Sequence, residues 1–437
     1  MAARSTSHAE RRSAVRDIFV VLLLLLGIAL IVRRAWLAVP VLAFFGYANP
    51  HRYAWGFATQ LPVYQILLAV AFLAFFQTRE RQPVPRDWRI PLFYLLWFWF
   101  FVTTLHSPLG VLAWDKLWEV SKVYIPLFLT LTLITDREKL RWLLVTIALS
   151  FGLLAAKGGI FAIERGFVYR VWGPDGTMYG GNNEFSIATL MTIPLLLLTW
   201  LELRHERGWR RALAWLALLI VPLAFASALS SWSRGGLVTL GLLYLFMWLK
   251  SRHKILLAVL AVLLVWSAPH FLPDELLQRW ETIRTYEQDG SAMHRIETWH
   301  HGLRFVRHHP ILGAGFEGWR YVSYRDWHSS YVEILSEHGV PGALMWGLLI
   351  FGTLFSLQRL ARLGRRRGDT SLRNHATMLQ AAIVAYLGGS LTLGITYWDY
   401  IYQLVFCAVL LRHFALQPQA SEASARVPLE EAPAHAA

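Results

Sequence analysis

Long apolar runs recur along this chain from residue 18 to residue 413, and they constrain its fold more than any other feature. Crossing the ~30 Å hydrocarbon core of a bilayer takes roughly 20 residues of helix. Because lipid offers the backbone no hydrogen-bond partner, each run must be a helix or part of a closed barrel, and uninterrupted apolarity favours helices. The runs that we assign are 18–32, 36–48, 61–77, 90–105, 117–134, 140–160, 184–201, 212–229, 235–250, 255–271, 331–357, 376–396 and 399–413. They predict an all-α polytopic membrane protein with about twelve transmembrane helices, or thirteen if neither of the short first two runs is re-entrant.

The composition excludes an ordinary soluble domain. Of the 437 residues, 56% are hydrophobic and 16% are charged, which leaves too little polar surface to cover a soluble fold. The net charge of +14 does not indicate nucleic acid, because the basic residues concentrate in short connections between apolar runs. The only cysteine, Cys407, lies in the last run, which excludes an intrachain disulfide and predicts a buried structural thiol.

The distribution of basic residues predicts the topology. The basic connections are 79–89, 136–141, 202–211, 250–254 and 359–373. The positive-inside rule places all of them in the cytoplasm. The alternating connections then face outward, namely 106–116, 161–183, 230–234, 272–330 and a tight turn near 397–399. Arg33 and Arg34 would also prefer the cytoplasm, so the orientation of the N-terminus stays open.

Four regions follow from this reading. They are N-terminal transmembrane helices over 1–271, a periplasmic helical segment over 272–330, C-terminal transmembrane helices over 331–416 and a disordered tail over 417–437. The tail is rich in Ala, Pro, Ser and Glu and lacks the apolar periodicity of a packed domain. The first apolar run resembles a signal peptide, but no small-residue cleavage site follows it. We therefore expect a retained first helix.

The outward connection 161–183 carries two candidate binding residues, Arg170 and Asn183. Its glycines and aromatic residues are typical of a loop that folds over a cavity. Asn183 is equally suited to capping a helix that starts at Glu184, a role that needs no ligand. Arg170 has an alternative as well, which is an ion pair with Glu164 or Asp175.

A third candidate, Arg234, lies between two apolar runs on the outward side, in the sequence Ser-Ser-Trp-Ser-Arg-Gly-Gly. An arginine this close to hydrocarbon is costly unless it is paired or faces a polar cavity, which indicates function. Snorkelling at a helix end is the alternative. The adjoining Gly235 and Gly236 would let a phosphate approach the backbone and meet N–H donors at a helix N-terminus.

The long outward segment 272–330 has aromatic and apolar residues every three to four positions, a pattern typical of amphipathic helices on a membrane surface. Arg295 lies on this pattern, one turn before Trp299. The histidine pairs 300–301 and 308–309 do not favour a metal site, because adjacent histidines diverge on a helix and no carboxylate follows at the third or fourth position. We expect no metal.

The strongest motif is HSSYVEILSEHGVPG at residues 328–342. His328, Ser329, Gly339 and Gly342 fit the pattern His, then Asn, Ser or Gln, then nine residues, then Gly-x-x-Gly. In this pattern the chain resembles bacterial O-antigen ligases of the WaaL type. Without the motif, an aromatic-flanked histidine would more often bind a loop carbonyl. His338, ten residues further on, is a distant second candidate.

The resemblance extends over most of the chain and implies membership of the O-antigen ligase and polymerase superfamily. In that family the motif histidine and two or more periplasm-facing arginines are essential, and the Ser-Arg-Gly context of Arg234 is matched here. The implied reaction joins O-antigen from undecaprenyl pyrophosphate to a sugar of lipid A-core at the bacterial inner membrane, without metal or cofactor. The segment GYANPHRYAWGFA near the N-terminus is also similar to a subgroup of O-glycosylation ligases associated with exosortase systems, which leaves the acceptor open.

The residue types suit this chemistry. A planar guanidinium stays charged and binds phosphate in a bidentate way, so Arg170, Arg234 and Arg295 are the predicted pyrophosphate ligands. With an ordinary pKa of ~6.5, a histidine is a usable base near neutral pH, so His328 is the predicted catalytic base. Asn183, Ser329, Trp299 and His338 are the supporting candidates.

Three acceptors share this chemistry: lipid A-core for a ligase, another lipid-linked glycan for a polymerase, and serine or threonine for a protein O-oligosaccharyltransferase. The motif favours the ligase. The chain has no Asp-x-Asp pair, which disfavours a metal-held nucleotide sugar. A lipid-linked glycan transporter would carry ionisable residues through the middle of several helices, whereas here they gather at one face. The expected partners are therefore the lipid-linked donor, one of these acceptors and membrane lipids.

Overall fold

A computed structural model describes residues 2–54, 56–281 and 290–417. The regular structure in these ranges is helical, and no strand occurs in them. The helices are α1 Ala2–Arg33, α2 Ala38–Ala48, α3 Val63–Gln77, α4 Arg89–Leu105, α5 Val111–Tyr124, α6 Leu127–Leu133, α7 Arg137–Glu164, α8 Asn182–Leu203, α9 Trp209–Leu229, α10 Arg234–Lys250, α11 Lys254–Phe271, α12 Asp274–Glu281, α13 Gly290–His308, α14 Trp319–Val322, α15 Ser330–Arg367, α16 Thr370–Ser390 and α17 Asp399–Leu416.

Seven of these helices are long and apolar enough to cross a membrane, and α3 and α4 are shorter apolar helices. Large apolar side chains are largely exposed along several of them, as at Ile255 and Val265 on α11, which is the surface expected of helices surrounded by lipid. The all-α, multi-pass class is thereby confirmed, while a count of twelve stays a prediction. The predicted disordered tail lies outside the described residues, apart from Gln417.

The core is centred on α8 and α17, the two most buried of the long apolar helices. Tyr400, Tyr402 and Phe406 of α17 are fully buried. The lone thiol, Cys407, is buried beside them, as its place in an apolar run predicts.

The predicted cytoplasmic connections share one end of the helical bundle. Ion pairs and hydrogen bonds join them, namely Arg137–Asp369 (2.7 Å), Arg141–Glu206 (3.2 Å), Asp87–Arg412 (3.1 Å) and Lys250–Gln358 (2.5 Å). We call this end the basic end. The connections predicted to face outward meet at the opposite end, the site end, so the bundle separates the two sets.

The N-terminal helix spans the same two ends. Asp17, near the start of its apolar span Val15–Arg33, accepts a hydrogen bond (3.2 Å) from the backbone of the connection after α2. Arg52 of that connection donates (3.1 Å) to a carbonyl in 161–183, at the site end. The Lys139 ammonium lies 6.0 Å from the centre of the Trp36 ring, just beyond the C-terminus of α1. The apolar part of α1 therefore runs from the site end to the basic end.

Two predicted runs differ from the helices in the structure. The run 117–134 is split into α5 and α6 around Pro126, because a proline has no N–H for the helical ladder and its ring clashes with the preceding turn. The run 376–396 is helical only to Ser390. Residues 391–398 form a connection at the site end, so the turn predicted near 397–399 begins earlier.

Candidate active site

His328 has a strained backbone at the entrance to α15. Its φ is +47°, a left-handed conformation that costs a non-glycine residue roughly 1–2 kcal/mol. The Trp299 indole donates to the carbonyl of Trp327 (2.8 Å), and the fully buried Trp327 indole donates to Glu337 (3.0 Å). These two bonds hold the peptide that precedes His328, so Trp299 has a positioning role.

The Gly-x-x-Gly part of the motif shapes the backbone around this histidine. Helix α15 is interrupted at Gly339, whose φ is +67°, a value that favours glycine. A Cβ at Gly339 would overlap the carbonyl of Ile311, and Val340 donates to the carbonyl of Pro310 (2.8 Å). A Cβ at Gly342 would lie 2.5 Å from that of His338. The glycines therefore allow the turn after α13 to pack against α15.

Helix α13 packs closely on the same segment. A Cβ at its Gly302 would lie 2.5 Å from the Ser336 hydroxyl and 2.8 Å from the Trp327 ring. Arg295, Trp299 and Gly302 follow at spacings of four and three, so they share one face of α13. The packing at Gly302 thereby brings Arg295 to the loop that carries His328.

Ser329 and His338 have structural contacts. The buried Ser329 hydroxyl donates to the carbonyl of Ser390 (3.3 Å). His338 is fully buried, with Nδ1 2.7 Å from the Thr103 hydroxyl and Nε2 2.8 Å from that of Tyr397. Since Thr103 donates its own hydrogen to the carbonyl of Phe100 (3.0 Å), we assign the Nδ1 hydrogen to His338. These bonds tie α15 to α4 and to the 391–398 connection.

Asn183 does not cap a helix. Helix α8 begins one residue earlier, and Gly181 occupies its N-cap position, so that alternative is wrong. The neighbouring Asn182, which the sequence reasoning passed over, is buried and donates to the carbonyl of Ser231 (2.7 Å). It joins the 161–183 connection to the 230–233 connection.

Four arginines gather at the site end. Burial, and next the guanidinium groups of Arg170, Arg234 and Arg295, lower the pKa of Arg279. Arg279 also donates to the carbonyl of Trp232 (3.0 Å), and the Arg170 guanidinium lies 5.4 Å from the centre of the Trp232 ring. Arg279 was missed in the sequence, where nothing sets it apart from the other charges of an amphipathic segment. We call these four residues the arginine cluster.

The structure also shows the surroundings of Arg170 and of the two glycines that follow Arg234. Arg170 forms no ion pair with Glu164 or Asp175, all three being within the described residues. A Cβ on Gly235 would overlap the Thr392 side chain in the 391–398 connection, and one on Gly236 would overlap Ser186 of α8. The small size of these glycines therefore serves packing around the start of α10. Arg234 remains at the N-terminus of α10.

His328 lies beside this cluster with an unsatisfied ring. Burial lowers the pKa of His328, Arg295 and Arg325 lower it further, and the Asp326 carboxylate partly opposes them. Its Nδ1 atom is buried and has no hydrogen-bond partner among the described residues. The alternative in which this imidazole binds a loop carbonyl is therefore not found. Burying a polar atom without a hydrogen-bond partner costs free energy. This favours an imidazole whose Nδ1 atom forms a hydrogen bond to a bound substrate.

A cavity of about 830 Å³ adjoins the site. Glu184 and Asp326 line it. Glu184 interacts electrostatically with the cluster, since burial and Arg234 lower the pKa of Arg295 while Glu184 raises it, and Asp326 interacts with His328. Both carboxylates were absent from the predicted site. Among the described residues no group of three or more His, Cys, Asp or Glu side chains is suited to holding a metal ion.

Comparisons with known proteins divide the chain in two. Residues 15–206 match a family of unknown function (DUF5935), and this part contains Arg170. Residues 219–347 match the family described as O-Antigen ligase, and this part contains the other three arginines and His328. No curated protein matches the chain. The match over 219–347 agrees with the motif at His328 and supports membership of the O-antigen ligase superfamily.

Proposed function

We propose that this protein is an O-antigen ligase that transfers a glycan from undecaprenyl pyrophosphate to a sugar hydroxyl of lipid A-core. One observation carries the proposal, namely the gathering of four guanidinium groups beside a half-buried histidine that has an unpartnered ring nitrogen. In this proposal the enzyme lies in the bacterial inner membrane, works without a metal and inverts the anomeric centre.

The arginine cluster would bind the donor pyrophosphate. Burial, and next the neighbouring guanidinium groups, lower the pKa values of Arg279 and Arg295. An anion between these like charges relieves their repulsion. Guanidinium groups also form short, charge-assisted hydrogen bonds to phosphate oxygens. The cluster would thus bind the donor and then stabilise the negative charge that develops on the leaving pyrophosphate.

His328 would accept the proton of the attacking hydroxyl. The acceptor oxygen forms a bond to the anomeric carbon while the bond from that carbon to the pyrophosphate oxygen breaks, and the electron pair leaves with the pyrophosphate. Attack from the opposite side inverts the anomeric centre. A pKa held below its usual range keeps His328 neutral at pH 7, which is the form that a general base needs.

The proposed orientation follows from charge. The basic end gathers the Lys- and Arg-rich connections, and the positive-inside rule favours the cytoplasm for that end. The site end would then face the periplasm, with residues 272–330 as the periplasmic segment and about twelve helices crossing the membrane. The lipid-linked donor would reach the arginine cluster from the outer leaflet.

A transfer assay in EDTA tests the proposal, with purified protein, undecaprenyl-pyrophosphate glycan and lipid A-core. General-base catalysis typically contributes about 10²–10⁴-fold, so His328→Ala should lose that much turnover while it still binds the donor. His300→Ala, at an exposed histidine of α13, is the matched control and should keep full activity. Equal transfer by His328→Ala and wild type would overturn the catalytic assignment.

Measuring donor binding is the second test of the proposal. Since a hydrogen bond to a charged group contributes about 1.5–3 kcal/mol, Arg279→Ala and Arg295→Ala should each weaken donor binding by roughly tenfold or more. Arg304→Ala, at an exposed arginine of α13, should bind donor normally. Normal binding by both cluster variants would overturn the pyrophosphate assignment. Transfer to a protein hydroxyl or to a second lipid-linked glycan, but not to lipid A-core, would instead indicate an oligosaccharyltransferase or a polymerase.

A further inference from the structure

Carboxyl groups outnumber cationic side chains in the lining of the cavity beside the arginine cluster. Seven carboxyl groups and three cationic side chains line its 830 Å³, together with five tyrosine and tryptophan rings. Its volume and its mixture of aromatic and polar walls are those of a small-molecule site. Asp326 lines the cavity and interacts electrostatically with the His328 imidazole, which links the cavity to the proposed base.

The cationic side chains of the cavity are engaged by the protein itself. Lys116 pairs with Glu119 (2.9 Å), and Arg320 pairs with Glu317 (3.0 Å). Arg52 donates to a backbone carbonyl (3.1 Å). An incoming phosphate or carboxylate would therefore meet an excess of carboxyl groups and no cation that is held ready for it, which disfavours an anionic ligand.

A neutral sugar suits these walls better. Carboxylate oxygens are strong acceptors for hydroxyl donors, and two of the lining carboxylates, Glu184 and Asp326, form no ion pair within 4.0 Å among the described residues. The apolar face of a sugar ring packs on aromatic rings such as Trp319 and Trp398, which also line the cavity.

The wall is built from both of the matched parts of the chain. Glu317, Trp319 and Asp326 come from the part that matches O-Antigen ligase. Asn49 and Arg52 come from the segment GYANPHRYAWGFA, in the part that matches a family of unknown function. Asn49 has a φ of +47° and donates to the carbonyl of Gly46 (2.6 Å), which fixes the loop that closes this side of the cavity.

We infer that this cavity is the acceptor site. It binds an uncharged, hydroxyl-rich sugar segment at the end of the acceptor that receives the transferred glycan, and the 46–64 segment contributes to its selectivity. The inference rests on the proposed function and adds the chemistry of the acceptor. The donor pyrophosphate occupies the basic side, the acceptor sugar occupies the acidic side, and His328 lies between them.

Direct binding tests this inference separately from catalysis. The probes are a neutral hexose trisaccharide and the same trisaccharide phosphorylated on its terminal hexose, measured by saturation-transfer NMR with the full chain in nanodiscs. Since like-charge contacts are strongly unfavourable, we expect the neutral probe to bind at least about tenfold more tightly. Equal or tighter binding of the phosphorylated probe, or no saturable binding of the neutral one, would overturn the inference.

Charge reversal at a carboxylate that lines the cavity tests whether the sugar binds there. Glu119→Lys places a cation in the lining and should reduce the preference for the neutral probe to about threefold or less. Asp115→Lys makes the same change one turn earlier on α5, at an exposed carboxylate that does not line the cavity, and should leave the preference unchanged. Equal effects of the two variants would refute the location.

Two further measurements keep the result interpretable. Trp319→Ala removes an aromatic wall and should weaken binding of the neutral probe about tenfold, which provides a second test if Glu119→Lys does not fold.

Undecaprenyl pyrophosphate binding, measured on the same samples, should stay normal in all of these variants. If wild type binds donor but shows no preference for the neutral sugar, the acceptor site alone is overturned, whereas failure of wild type to bind donor overturns the proposed function. Binding of a serine- or threonine-containing peptide in place of both sugars would also overturn the inference.

Discussion

Replacing Gly339 by alanine tests how the motif builds the site. An L residue at its φ of +67° costs roughly 1–2 kcal/mol. The added methyl group also overlaps the carbonyl of Ile311, and forcing extra volume against packed groups typically costs about 1–3 kcal/mol. Because the overlapped atom belongs to the backbone, a side-chain rotation cannot relieve the contact. We expect Gly339→Ala to lower the free energy of unfolding by about 3 kcal/mol.

The same substitution eight residues later is the control. Gly347 lies on the same helix, and a Cβ there meets no atom within 4 Å. Removing a glycine from a helix interior stabilises it by roughly 0.5–1 kcal/mol, so Gly347→Ala should be slightly more stable than wild type. Thermal unfolding in detergent, followed by loss of helical signal, measures both variants. Equal stability of the two would refute the reasoning from positive φ and backbone overlap.

The remaining predictions concern the proposed base. As a general base, His328 is active in its neutral form, so activity falls as pH falls through its lowered pKa; the acid limb should lie below the ordinary ~6.5. Asp326→Asn should move that limb to lower pH and Arg325→Gln to higher pH, and pH–rate profiles that shift the other way would contradict the assignment. Bound undecaprenyl pyrophosphate should offset the charge of Arg295 and raise the pKa of the His328 imidazole, which NMR titration with and without the lipid can detect. Trp299→Phe removes one hydrogen bond of about 1 kcal/mol and should lower kcat about fivefold without changing donor affinity, whereas a change confined to donor affinity would contradict a positioning role.

Sequence patterns predict the helices of this fold well because each depends on a local property. An apolar run is helical in lipid wherever it occurs, and a proline such as Pro126 marks a break that could have been read from the sequence. The break at Gly339 also has such a signal in Pro341, two residues later, but the approach of the Ile311 carbonyl from a turn 28 residues away could not be read from the sequence. The orientation of α1 depends likewise on distant contacts at its two ends.

The residues of the candidate site also differ in whether a local sequence signal predicts them. Arg170 stands out within a distinctive loop, Arg234 stands out near hydrocarbon, and Arg295 lies one turn before Trp299 on an amphipathic pattern. All three belong to the arginine cluster. Arg279 stands among ordinary charges of an amphipathic segment, and only the contact of its guanidinium with the Trp232 carbonyl (3.0 Å) reveals its place. A glutamate inside an apolar run, such as Glu337, is a local signal that could have predicted a further residue near the site.

The physical roles of the motif residues limit what the motif can predict. Gly339 and Gly342 shape the backbone, Ser329 ties α15 to the 391–398 connection, and of the four motif residues only His328 has a side chain placed to meet a substrate. A match to the motif therefore predicts where the histidine lies and says little about which hydroxyl it deprotonates. That choice depends on the walls of the adjoining cavity, part of which comes from the N-terminal half of the chain. Two proteins that share the motif and the arginine cluster can accordingly share a donor and differ in acceptor.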